Sequence, residues 1–154
     1  MLRDVLIKQL VACHGSIGLN ASGIGHEESL VTPQPAGNSL NWVIGHVVAS
    51  RNGLLRLSGM DLHWSKEEAR PYIRGSALLA VEAARPFNEI LTAYEQTQHK
   101  LLERLQNMSD SELDAASDKG TLGEQLAFLL FHEAYHAGQA GLLRRVLGKP
   151  PAIV

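Results

Sequence analysis

Residues 121–148 read TLGEQLAFLLFHEAYHAGQAGLLRRVLG, and this stretch decides the fold class. Thr121 and Glu124 stand where an N-cap and a first-turn acid belong, satisfying backbone N–H groups that lack a helical partner. Arg144 and Arg145 suit the negative end of the helix dipole, and Gly148 followed by Pro150 ends the run. The pattern predicts a helix over about Thr121–Leu147. Leu122, Leu126, Leu129, Leu143 and Leu147 share a broad face with His132 and His136, so that face is expected to look into a core.

His132 and His136 are one helical turn apart. Four steps along an α-helix give an offset of about 40° and a rise of about 6 Å, so both rings stand on one side. Two buried imidazoles without partners are costly. A divalent metal satisfies both, because neutral imidazole nitrogen ligates zinc or nickel at about 2.0–2.1 Å. Hydrogen bonds within a core would also satisfy them, and spacing alone does not choose. HEAYH also fits the zinc-protease pattern H-E-x-x-H. Such enzymes take a third ligand downstream, yet residue 142 is leucine and no Asp, Glu or His follows His136. A third ligand must come from upstream.

The best upstream candidate is His46, in NWVIGHVVASRNGLL (residues 41–55). Gly45, Ala49, Ser50 and Gly53 surround it and are expected to leave room for a cavity beside the ring. Trp42, one turn earlier, is expected to wall that cavity. Packed helices lie about 8–10 Å apart, so histidines from two of them can meet at one ion. Three protein ligands leave a position for water or substrate, as catalytic metal sites do.

Three more runs carry helical periodicity: about Leu2–Leu19, Ser39–Leu57 and Pro86–Asn107. Leu2, Val5, Leu6, Leu10, Cys13 and Ile17 form the expected apolar face of the first. Ser109 and Glu112 have capping-box spacing for a single extra turn. The expected architecture is all-α, a four-helix bundle forming one domain over residues 1–154, with long connecting loops at 21–38 and 60–85. Ser76–Ala84, SALLAVEAA, is a candidate short helix in the second loop. No strand signal is visible.

Lys plus Arg is 14 and Asp plus Glu is 16, a net charge of −2, which excludes the broad basic excess of a nucleic-acid binder. The single cysteine, Cys13, reads as a small core residue; no intrachain disulfide can form, which suits a reducing compartment. No membrane span is expected, and the reading is cytoplasmic.

Phe131–Gly148 closely resembles the last helix of the DinB-like superfamily: a histidine, three residues, a second histidine, then x-Gly-Gln and an Arg-rich end before glycine. Those elements are His132, His136, Gly138, Gln139, Arg144, Arg145 and Gly148. Residues 41–55 resemble the family's second helix, whose histidine supplies the first ligand, which carries over to His46. Relatives carry an acidic residue soon after that histidine, where this chain has Ser50, Arg51 and Asn52. The resemblance implies a four-helix bundle with non-sequential helix pairing, one divalent transition metal (zinc or nickel) on three ligands, and a homodimer. It further implies a small-molecule substrate, with relatives that transfer or isomerise using a low-molecular-weight thiol. A non-catalytic, metal-stabilised stress-response or binding module is the alternative.

Around the three histidines the reading is less direct. Glu133 lies about 100° around the helix from His132. It is a candidate base toward a metal-bound water, or a residue at a helix–helix boundary. Gln139 shares the His136 face and is expected to hold a ligand or a backbone group. His14 lies near the end of the first helix, and His26, His63 and His99 read as surface residues. Trp64 and Tyr72 are expected to pin the second loop to the bundle or to line a pocket mouth.

Overall fold

The computed structural model describes residues 2–76 and 78–153. In chain order it comprises α1 (Leu2–Ala21), the single turn α2 (His26–Ser29), α3 (Leu40–Leu57) and the single turn α4 (Lys66–Ala69), which runs into a 3-10 turn at Arg70–Tyr72. A second 3-10 turn at Val81–Ala83 precedes α5 (Phe87–Gln106), the single turn α6 (Asp110–Leu113), strands β1 (Ala116–Ser117) and β2 (Gly120–Thr121), and α7 (Leu122–Val146).

The helix boundaries follow from local chemistry. Ser39 caps α3 by accepting from the Trp42 N–H at 3.3 Å. Thr121 and Glu124 cap α7 reciprocally, at 3.2 and 2.7 Å. Ser109 and Glu112 do the same for α6. Gly148 takes the left-handed conformation (φ 72°) just past the end of α7, where a side chain would be strained.

The principal helix pairs are α1–α7, α3–α7, α3–α5 and α1–α5. Each long helix thus packs mainly on two others, and α1 and α3, successive long helices in the chain, are not among these pairs. The fold is helical and non-sequentially packed, as the resemblance implied. The core falls into two apolar layers. One holds Ile17, Leu40, Val43, Ile44, Val47, Phe87, Ile90 and Ala140. The other holds Leu6, Leu10, Leu54, Leu55, Leu101, Leu105, Leu126 and Leu130. Buried polar residues Arg51, Thr97, Gln98 and Glu133 lie between the two layers along α3, α5 and α7.

Three expectations are corrected. Leu2 and Val5, expected on the apolar face of α1, are exposed, while the other four residues of that face, Leu6, Leu10, Cys13 and Ile17, are buried as expected. A two-residue antiparallel ladder joins β1 to β2, with Ala116 opposite Thr121. At that length no alternating pattern exists to be read. Of the candidate helix Ser76–Ala84 only the turn Val81–Ala83 is helical; Ala77 lies outside the described residues. Leu78 and Val81 are 74% and 63% exposed, so a helix there would have no face to bury, and short helices depend on such burial.

The second loop is fastened to α3. Asn52 Nδ2 donates to the Trp64 carbonyl at 2.8 Å, and its Oδ1 accepts from the His63 N–H at 2.9 Å. The Tyr72 hydroxyl donates to Asn41 Oδ1 at 3.1 Å and accepts from the Arg85 N–H at 2.8 Å. Trp64 and Tyr72 are buried. Both pin the loop, and through Tyr72 the loop reaches the histidines.

Candidate metal centre

α3 and α7 pack side by side and bring His46, His132 and His136 together. His132 Nε2 lies 3.4 Å from His46 Nε2 and 3.1 Å from His136 Nε2. One ligand atom from each ring falls within 4.8 Å of the others. With zinc–nitrogen bonds near 2.05 Å, the edge of a tetrahedron is about 3.3 Å, so the spacing suits three ligands of one ion.

The opposite nitrogens fix which atom faces inward. His46 Nδ1 lies 2.6 Å from the Tyr72 carbonyl oxygen, and His136 Nδ1 lies 2.7 Å from Gln139 Oε1. Carbonyl oxygens only accept, so both Nδ1 atoms carry hydrogen, and the neutral rings present Nε2 lone pairs to the common centre. Facing lone pairs repel unless a proton or a cation lies between them. His132 Nδ1 is buried with no hydrogen-bond partner among the described residues. The donor set therefore fits a divalent metal on an observation independent of the spacing: two of three imidazoles are held as ligating histidines are held.

Electrostatics point the same way. Burial pulls His136 down to about 4, against the effect of its bond to Gln139, and the neighbouring His46 and His132 lower it further. Burial lowers His46, and burial lowers His132, with Glu133 opposing and Arg74 assisting. All three shifts favour the neutral, ligating form.

The surroundings are aromatic. The Trp42 indole stacks on His46, with centroids 4.7 Å apart and planes 6° from parallel. Tyr135 meets His136 edge-on at 5.2 Å, and its hydroxyl accepts from Gln139 Nε2. The room that Gly45 was expected to leave is filled: a Cβ there would overlap the Tyr72 ring. Close approach of loop to helix, rather than a cavity, is what the glycine permits.

Glu133 is not placed as a free base. Its Oε1 accepts from Arg51 NH2 at 2.7 Å and from the Tyr94 hydroxyl at 3.2 Å, and its Oε2 accepts from Arg51 Nε at 3.0 Å. Arg51 is fully buried and also donates to the Tyr94 carbonyl, Thr97 Oγ1 and Gln98 Oε1, at 2.8 to 3.0 Å. Its guanidinium sits 4.0 Å over the Tyr94 ring. Glu133 thus occupies the helix–helix boundary that the sequence left open as its other reading.

From the sequence Arg51 was noted only as standing where relatives carry an acid, and the Tyr72 carbonyl was not singled out. Arg51 carried a signal: with Val47, Val48, Leu54 and Leu55 it continues the apolar stripe of α3 at steps of three and four. The carbonyl carried none, since a backbone group is not encoded by residue type. Cys13 is buried, and desolvation pushes its thiol up to about 11, which leaves it unreactive. His14 is half-buried, stacked on Tyr94 at 4.7 Å, with Nε2 3.1 Å from Glu95. His26 and His99 are exposed, and His63 lies half-buried on the second loop.

The family model described as DinB superfamily matches residues 21–140, most of the chain and all three histidines. The chain belongs to that superfamily. No curated protein matches it.

Proposed function

We propose that this DinB-superfamily chain is a metal-dependent enzyme that activates water or a low-molecular-weight thiol for attack on a small electrophile. The observation that carries this reading is the convergence of three Nε2 atoms with two of the rings held at Nδ1. The ion would be zinc or nickel, held by His46, His132 and His136; when bound it lowers the pKa of a coordinated water or thiol so that a nucleophile exists at neutral pH. The Tyr72 carbonyl and Gln139 orient two imidazoles and raise their basicity as ligands. Trp42 stacks on His46 and Tyr135 packs edge-on against His136, so aromatic rings hold two of the imidazoles in place. Glu133, committed to Arg51 and Tyr94, takes no proton from the nucleophile in this reading.

The same chain would act as a homodimer in a reducing cytoplasm. Phe128, Phe131, Tyr135, Leu142 and Val146 are exposed on α7 at helical spacing, an apolar stripe that a second copy would cover. Among the described residues, no helix is long and apolar enough to cross a membrane. Burial of His46 and His136 favours a second reading, a closed, stabilising metal site without chemistry. Metal-loaded protein, incubated with a panel of thiols and model electrophiles, separates the two. Turnover above that of the metal-free protein, lost in His132→Ala, supports catalysis. No turnover with any thiol or with water, together with a large drop in Tm on chelation, supports the closed site.

A further inference from the structure

The second loop builds an open cleft of about 650 Å3, lined by Pro71, Ile73, Ser76, Leu78, Leu79 and Ala83 together with Arg70 and Arg74. The cleft adjoins the histidines through Trp42. The indole that stacks on His46 donates from Nε1 to the Pro71 carbonyl and to Ser76 Oγ, both at 3.2 Å and both on residues of the cleft wall. Tyr72, between two wall residues, holds His46 through its carbonyl.

No carboxylate lines the cleft, and neither Arg70 nor Arg74 has an ion-pair partner among the described residues. Arg85, at the end of the same loop, is paired with both Glu68 and Glu89. Ile73 and Leu78 are exposed beside the free guanidinium groups. An apolar surface flanked by two unpaired cations, next to a candidate metal centre, has the complement of a small molecule with an apolar body and an anionic end.

We infer that this cleft binds the substrate's anionic end, a carboxylate gripped by Arg70 and Arg74, while the reacting end reaches the three histidines. Guanidinium forks match the two oxygens of a carboxylate, and the exposed apolar wall beside them offers contact to the body of the molecule. The inference rests on the proposed open metal position and adds a substrate class to it.

The test titrates cobalt(II)-loaded protein with pairs of thiols that differ only in charge: mercaptoacetate, 3-mercaptopropionate and N-acetylcysteine, each beside its amide. Calorimetry reads affinity, and the sulfur-to-cobalt absorption band reads whether the thiol reaches the ion. The expected result is a carboxylate preference of about five-fold in at least one pair, as a well-formed exposed charge-assisted contact gives. That preference should disappear in Arg74→Gln and shrink in Arg70→Gln, with metal content unchanged. Equal affinity for acid and amide in every pair, with the absorption band present, overturns the cleft and leaves the metal reading standing. A carboxylate preference without the band keeps the cleft and overturns the open position. No binding of any thiol overturns both.

Discussion

His46 shows how one side chain depends on backbone that its own sequence neighbourhood does not contain. Its Nδ1 is fixed by the carbonyl of Tyr72, 26 residues away, and the Tyr72 ring lies against the bare Cα of Gly45. Gly45→Ala should therefore push the ring away, costing about 1–3 kcal/mol as overpacking does. A denaturant titration measures the loss, and weakened metal retention should accompany it; unchanged stability would show that the ring yields freely. His132 and His136 were legible because a four-residue spacing fixes their relative direction on a helix, and His46 as the upstream candidate that the resemblance to the family's second helix singled out. Tyr72 was legible as a loop anchor or a pocket-mouth residue, not as the carbonyl that holds His46. The histidines also set a pH dependence. Unfolded imidazole takes a proton near pH 6.5, whereas folded His136 resists until about 4. As pH falls through that window the unfolded chain binds protons the folded one refuses, so metal-free protein should lose stability on acidification. Urea midpoints at neutral pH and at about pH 5 test this, and the fall should be shallower in His136→Gln; identical slopes in the two proteins would count against it.

At the level of helices, the buried polar layer ties α3, α5 and α7 together one residue from His132. Arg51 spends its donors on Glu133, Gln98, Thr97 and the Tyr94 carbonyl, so the layer is satisfied. Removing one partner leaves a buried charge without its complement. Arg51→Met should cost about 3–5 kcal/mol, and Arg51→Met/Glu133→Leu should recover much of that loss. Equilibrium unfolding of the two variants decides; a double variant no more stable than the single one would mean that packing, not charge, governs the layer. The long helices themselves were readable from periodicity, caps and stops, because those signals are local. Arg51 shows the limit of that reading: a charge inside an apolar stripe has the right phase but needs a carboxylate on another helix before burial is affordable. The β1–β2 ladder and the non-helical residues 78–80 escaped for related reasons, one being too short for a pattern and the other lacking a surface to pack on.

For the whole molecule, α7 has two faces. Its inner face carries His136, Ala137 and Ala140 into the core, while Phe128, Phe131, Tyr135 and Leu142 point outward. That division explains why the helix reads as apolar nearly all round, a pattern that suits burial on both sides. Phe131→Glu should convert a dimer to a monomer by light scattering, and a wild-type mass equal to one chain would remove the stripe's proposed role. Tyr135 belongs to that stripe and touches His136, so the proposed dimer face and the candidate metal centre adjoin. The central claim is that Nε2 atoms from α3 and α7 share one cation. Metal content after equilibration with zinc or nickel, measured by elemental analysis on folded wild-type protein and on His46→Ala, His132→Ala and His136→Ala, tests it most directly. The expected result is about one ion per wild-type chain and loss of most of it in each variant, since two histidines hold zinc far more weakly than three. Metal content unchanged by any of the three substitutions, or a folded wild-type chain that takes up none, would contradict it.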